Sequence, residues 1–158
     1  MRIIIGSDNN GIEYKEQLIE FLSNKKDIEI IDGGYTEYYA DTADAVGNKI
    51  LNNEADRGIL ICGCGNGMLI AANKIPGIRA TYSFDKKALE KSVTSSACQI
   101  IIFGSEIIDI NQAYELINHW LKFDYPEKLS NQVEKVIELE HKYYKWELLI
   151  LQMILIEN

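Results

Sequence analysis

Histidine is nearly missing from this 158-residue chain. Only His119 and His141 occur, both on predicted helices outside the glycine-rich turns, where a surface or packing role suits them. Cysteine is scarce as well: three residues, an odd number, with Cys62 and Cys64 sharing one turn. Such a set gives no disulfide framework and suits free thiols in a reducing cytoplasm. Positive charge is in deficit, 16 Lys and Arg against 24 Asp and Glu for a net charge of −8, which argues against a nucleic-acid or anionic-membrane surface. Long apolar runs are lacking too. The opening Met1-Arg2-Ile3-Ile4-Ile5 gives way at once to Gly6-Ser7-Asp8, too short a run for a secretory leader. Leu148–Ile156 is almost wholly apolar but only nine residues long, less than half of the roughly 20 that a membrane helix needs. What remains is the composition of a soluble globular protein, long enough for one domain with a substantial core.

Hydrophobic periodicity divides that domain into alternating strands and helices. Strands are predicted at Arg2–Gly6, Ile28–Ile31, Gly58–Ile61, Ile78–Tyr82 and Gln99–Phe103, the second ended by Asp32-Gly33-Gly34. Helices are predicted at Tyr14–Leu22, Asp41–Asn52, Gly67–Asn73, Lys86–Val93 and Asn111–Lys122, and the first places Tyr14, Leu18, Phe21 and Leu22 on one face. This alternation predicts an α/β three-layer sandwich around a five-stranded parallel sheet of the doubly wound kind. From Asn131 a long C-terminal helix is expected, with Val133, Ile137, Tyr144, Leu148 and Leu155 near one stripe. The division is therefore a domain over residues 1–125 and a helical extension over 126–158, whose stripe suits packing against a second subunit or the chain's own sheet.

Ligands of doubly wound sheets sit beyond the C-terminal strand ends. Three loops converge there: Gly6-Ser7-Asp8-Asn9-Asn10-Gly11, the turn around Asp41, and Cys62-Gly63-Cys64-Gly65-Asn66-Gly67. The last is the most informative. It puts a thiol at a strand end beside backbone N–H groups at a helix start, where the helix dipole favours an anion and should lower the thiol pKa. A thiol beside an anion hole suits proton abstraction or acyl chemistry. The plainer alternative is that Cys62 is a small buried hydrophobe. Cys64 is either substrate-side packing or inert, and no His or further Cys lies nearby to complete a metal set. Asp8 and Asp41 each suit the cap of the helix that follows. Arg79, at a strand start, is expected in an internal ion pair, while Asn73 and Lys74 suit structural roles.

With these residues in view, the chain resembles the type B ribose-5-phosphate isomerases and the related galactose-6-phosphate isomerase subunits. The resemblance lies in Gly6-Ser7-Asp8, in Ala55-Asp56-Arg57-Gly58-Ile59-Leu60-Ile61-Cys62-Gly63, in Ile70-Ala71-Ala72-Asn73-Lys74-Ile75-Pro76-Gly77-Ile78-Arg79-Ala80 and in Phe103-Gly104-Ser105. It runs from Met1 to about Tyr125. It implies a Rossmann-like fold and a homo-oligomer (dimer or tetramer) or a hetero-oligomer with a second family subunit, with active sites shared between subunits. It also implies interconversion of an aldose and a ketose, as sugar or sugar phosphate, through an enediol and without metal or cofactor. The family's base falls on Cys62, and the N–H groups of Gly63, Cys64, Gly65, Asn66 and Gly67 would hold the enediolate oxygen. Asp8, Asn9, Asp41, Ser95, Ser96 and Gln99 fall on substrate-binding positions.

Several of those positions depart from the family pattern. Asn9, Ser95, Ser96 and Gln99 stand where His, His, Asn and Asn are usual; Cys64 replaces threonine and Glu106 replaces arginine. Around Asp41 the carboxylate is kept and the aromatic ring of the usual turn is read as lost. Tyr125-Pro126-Glu127-Lys128-Leu129-Ser130 has none of the usual arginines. Three readings follow: a subunit completed by a different family member, an isomerase for a short open-chain or unphosphorylated sugar, or a non-catalytic binding subunit.

Overall fold

The computed structural model describes residues 1–156, with side chains through 143. Strands β1 (Arg2–Asp8), β2 (Glu29–Thr36), β3 (Arg57–Cys62), β4 (Ala80–Thr81) and β5 (Ile100–Gly104) form one sheet in the order β2-β1-β3-β5-β4. Every neighbouring pair is parallel. Helices α1 (Ile12–Ser23), α2 (Tyr39–Leu51), α3 (Asn66–Ala72), α4 (Lys86–Thr94) and α5 (Ile110–Trp120) alternate with the strands, and α6 (Asn131–Ile156) follows.

Strand side chains alternate between the two faces, and the core divides accordingly. Ile3, Ile5, Ile59, Ile61, Ile101 and Phe103 meet Tyr14, Leu18 and Leu22 of α1, Leu89 and Val93 of α4, and Ala113, Leu116, Ile117 and Trp120 of α5. Ile4, Leu60, Cys62, Ile100 and Ile102 meet Ala43, Val46 and Ile50 of α2 and Met68 and Ala72 of α3. The near-continuous isoleucine runs are those of a sheet covered on both faces. Chain order reverses at β1, which lies between β2 and β3, so the switch point falls where β1 and β3 end.

Two strand boundaries correct the sequence expectation. The second strand does not stop at Asp32-Gly33-Gly34 but runs on to Thr36. The register against β1 slips between Ile5 and Ser7, and Gly34, at φ +71°, absorbs the irregularity within the strand. The fourth strand shrinks to Ala80–Thr81, because Ile78 is spent on the turn, its N–H bonded to the Ile75 carbonyl, and packs under α2 and α3.

At the opposite end of the sheet Arg57 is 2% exposed. Its guanidinium donates to the carbonyls of Trp120 (3.1 Å) and Phe123 and lies 5.1 Å from the Trp120 ring and 4.8 Å from that of Tyr125. His119 stacks edge-on against Phe123 at 5.0 Å. The start of the extension docks on its own domain: Val133 is buried, Ser130 Oγ donates to the Ser95 carbonyl, and Glu140 accepts from the Gly77 N–H. Tyr144, Leu148 and Leu155 of the predicted stripe lie outside the described side chains. No helix among the described residues is long and apolar enough to cross a membrane.

Candidate active site

At the switch point Asp8 closes β1 and Cys62 closes β3, side by side in the sheet. A cleft of about 300 Å³ opens between them, lined by Asp8, Asn10, Tyr39, Cys62, Gly63, Cys64, Gly67 and Glu106. Asp8 is nearly buried. Its carboxylate caps a 3-10 turn at Asn9–Gly11 by accepting from the Asn10 N–H at 2.9 Å. Burial holds its pKa above the ordinary carboxylate range, against backbone hydrogen bonds from Asn10 and Gly11 and with a smaller push from Glu106.

The thiol of Cys62 is 3% exposed and accepts the Gly65 N–H at 3.1 Å. The sequence expectation of a lowered thiol pKa is overturned. Burial raises it, and hydrogen bonds from the Met68 and Gly65 N–H groups only partly offset that penalty. Gly65 reaches this position at φ +84°, and a side chain there would run 2.7 Å from the Tyr82 ring. Tyr82 in turn donates its hydroxyl to the Cys64 carbonyl at 3.0 Å. The loop is thus pinned on both sides of the sulfur, and all three cysteines are free.

Of the residues predicted for the site, Asp8, Cys62, Gly63, Cys64 and Gly67 line the cleft, while Asn9, Asp41, Gly65 and Asn66 do not. Asp41 is exposed in the first turn of α2 and caps nothing, since that helix begins at Tyr39 with Tyr38 before it. Ser95 and Ser96 line a separate cavity of about 250 Å³ with Asn73, Arg79, Cys98 and Val136. Gln99 is spent on the neighbouring turn, accepting from the Arg79 N–H and donating to the Gly77 carbonyl. Arg79 is likewise held by carbonyls, those of Ser96, Ala97 and Gly77, rather than by the ion pair expected of it. Asn73 ties α3 to β4 through Leu69 and Ala80.

Sequence reasoning missed Asn10 and Tyr39 as site residues and read Glu106 only as the replacement of an arginine; all three line the cleft. Thr42 follows Asp41, yet an aromatic ring does border the cleft: Tyr39 lies over Gly67, so close that a Cβ there would sit 2.9 Å from its Cε1. The signal was available in Tyr38-Tyr39, two residues before the carboxylate that drew the eye. Glu106 arrives from the turn after β5, whose N–H groups bond to the carbonyls of Cys62 and Gly63.

Residues 3–137 match the family described as Ribose/Galactose Isomerase. The chain belongs to that family. Among relatives of the Ribose/Galactose Isomerase family, a ribose-5-P isomerase B of Listeria innocua is 39% identical over 90% of this chain and 99% of its own. A D-erythrulose-4-phosphate isomerase 2 of Mycolicibacterium smegmatis is 36% identical over 79% of this chain and 86% of its own. The solved structure of Clostridium thermocellum ribose-5-phosphate isomerase B superposes with a TM-score of 0.83 at 35% identity, covering 90% and 99% of the two chains. These family members are enzymes by name, and the five-stranded parallel architecture is theirs.

Proposed function

We propose that this chain interconverts an aldose and the corresponding ketose, as sugar or sugar phosphate, through an enediol, with Cys62 as the base. The observation that carries the reading is the placement of the Cys62 sulfur on an open cleft at the switch point, beside the Asp8 carboxylate. The Cys62 thiolate removes the proton from C2. The C–H electron pair becomes the C1–C2 double bond, and the carbonyl pair moves to O1, which backbone amides of the loop hold. The O2 proton then passes to O1 as the O2–H electron pair closes the C2=O bond, and the C1–C2 pair takes the proton back from the thiol at C1, so the thiolate is restored and no net electron or atom is gained. A sulfur with a raised pKa is a strong base once ionised, as abstraction from carbon requires.

We also propose that the complete site is formed between subunits, of this chain or of this chain and a second family member. Ser95 and Ser96 share no cavity with Cys62 inside one chain, which supports that reading. The test is an isomerase assay on four- and five-carbon sugars and their phosphates, with the chain alone and mixed with a second family subunit. Turnover lost in Cys62→Ala is the expected result. Turnover that survives Cys62→Ala, or none under any combination, refutes the proposal.

A further inference from the structure

We infer that Tyr82 is a positioning residue for Cys62: through the Cys64–Gly65 peptide it holds the Gly65 N–H on the sulfur. The inference rests on the reading of Cys62 as the base and names a residue that sets how readily that thiol ionises.

Tyr82 follows β4, at the edge of the sheet, and Cys62 ends β3, with β5 between them. Gly104, which ends β5, lets the phenol cross that strand. A Cβ there would stand 2.9 Å from the Tyr82 hydroxyl oxygen and 2.8 Å from the Cys64 carbonyl carbon. The hydroxyl donates to the Cys64 carbonyl at 3.0 Å, and the Gly65 N–H donates to Cys62 Sγ at 3.1 Å. That carbonyl and that N–H belong to one planar peptide unit, so fixing the oxygen fixes the direction of the hydrogen. Donation to the oxygen also polarises the peptide and strengthens its N–H as a donor.

Ring and loop touch directly. A Cβ on Gly65 would lie 2.7 Å from Tyr82 Cζ, so the bare glycine is what lets the phenol reach the peptide. Phe84 braces the same ring edge-on, with centroids 4.9 Å apart. Burial holds the Tyr82 hydroxyl above the ordinary phenol range, so it keeps its proton, and stays a donor, where a free tyrosine would lose it. The second amide on the sulfur, that of Met68, sits inside α3 and is oriented by the helix. Of the two amides on Cys62, only that of Gly65 therefore depends on a side chain from another strand.

The experiment compares the full wild-type chain with Tyr82→Phe, Tyr82→Leu and Tyr114→Phe. The last removes a hydroxyl that donates to the Gln17 carbonyl at 3.4 Å, between α5 and α1, and serves as the structural control. Two quantities are followed against pH: kcat/KM, and alkylation of Cys62 by iodoacetamide, resolved from the other thiols by mass spectrometry. Melting temperatures show that each variant folds. In Tyr82→Phe the thiolate present at neutral pH should fall about two- to tenfold, the equivalent of one lost hydrogen bond. Both profiles then move to higher pH and rejoin the wild type in alkali. Tyr82→Leu should move them at least as far, and Tyr114→Phe should leave them in place. A lowered melting temperature with unmoved profiles in both Tyr82 variants overturns the inference. Failure of the isomerase reading looks different: no sugar is turned over, and alkylation alone decides. Coincident alkylation profiles, or a Cys62 that reacts at no pH, also overturn it.

Discussion

Cys62 and Cys98 are both nearly buried thiols on one domain, yet they sit in opposite kinds of surroundings. Cys62 ends β3, takes two backbone N–H groups on its sulfur and borders an acidic cleft. Cys98 precedes β5, lines the Ser95–Ser96 cavity, and has its pKa pushed up to about 11, mainly by burial, with Arg79 pulling weakly the other way. Burial raises both thiols, and only at Cys62 do backbone N–H groups aimed at the sulfur offset part of that penalty. The two thiols also lie in separate cavities, Cys62 in the cleft with Asp8 and Glu106 and Cys98 in the one with Ser95 and Ser96.

Replacing each thiol tests this contrast most severely. Cys62→Ala should lower kcat by about 10²–10⁴-fold, the range of a lost general base, while Cys98→Ala leaves the chemical step in place. Equal losses in steady-state assays would erase the distinction. The two cavities can next be separated genetically: a Cys62→Ala chain and a Ser96→Arg chain, each inactive alone, should recover about a quarter of wild-type activity when co-assembled as random dimers. Persistent inactivity of a verified mixed oligomer would mean that each cleft is complete without its neighbour.

Alkaline titration distinguishes the same thiols by opposite trends. Activity should climb as pH rises, because the raised Cys62 pKa keeps the thiolate scarce at neutrality. Stability should fall over the same interval, because above pH 9 the unfolded Cys98 thiol ionises first and the folded one holds its proton to about 11. That asymmetry binds more protons to the folded state and removes about 2–3 kcal/mol by pH 11, which urea unfolding reads as the part of the alkaline loss that Cys98→Ala abolishes, the raised Cys62 and tyrosine groups supplying the rest. The smallest effect is expected at Tyr39, whose ring covers Gly67 at the cleft mouth. Tyr39→Ala should cut kcat/KM a few-fold, matching the ~0.5–1.5 kcal/mol of an aromatic contact, with little change in melting temperature.

How much of this was legible in the chain follows from the range of the interactions involved. Isoleucine runs separated by amphipathic helices announced the parallel sheet, since local periodicity encodes which face of an element is buried. The thiol in its glycine turn was equally plain, and so was the cap at Asp8. The strand through Gly33-Gly34 was not legible. Glycines that usually break a strand here serve a register slip that exists only once β1 lies alongside. Arg79 was misassigned for a similar reason, because its carbonyl partners come from the turn at 96–97, remote in sequence.

By itself, then, the sequence determined the order of elements, the two-sided core and the sulfur at the strand end, all consequences of neighbours within a few positions. Only the tertiary structure decided that Tyr39 and Glu106 line the cleft of that sulfur, that Ser95 and Ser96 do not, and that desolvation outweighs the loop amides at the thiol. Each of those is set by which elements the sheet brings together and how much water they displace. Pairing across the fold and exclusion of solvent are collective quantities, so no local pattern of residues records them.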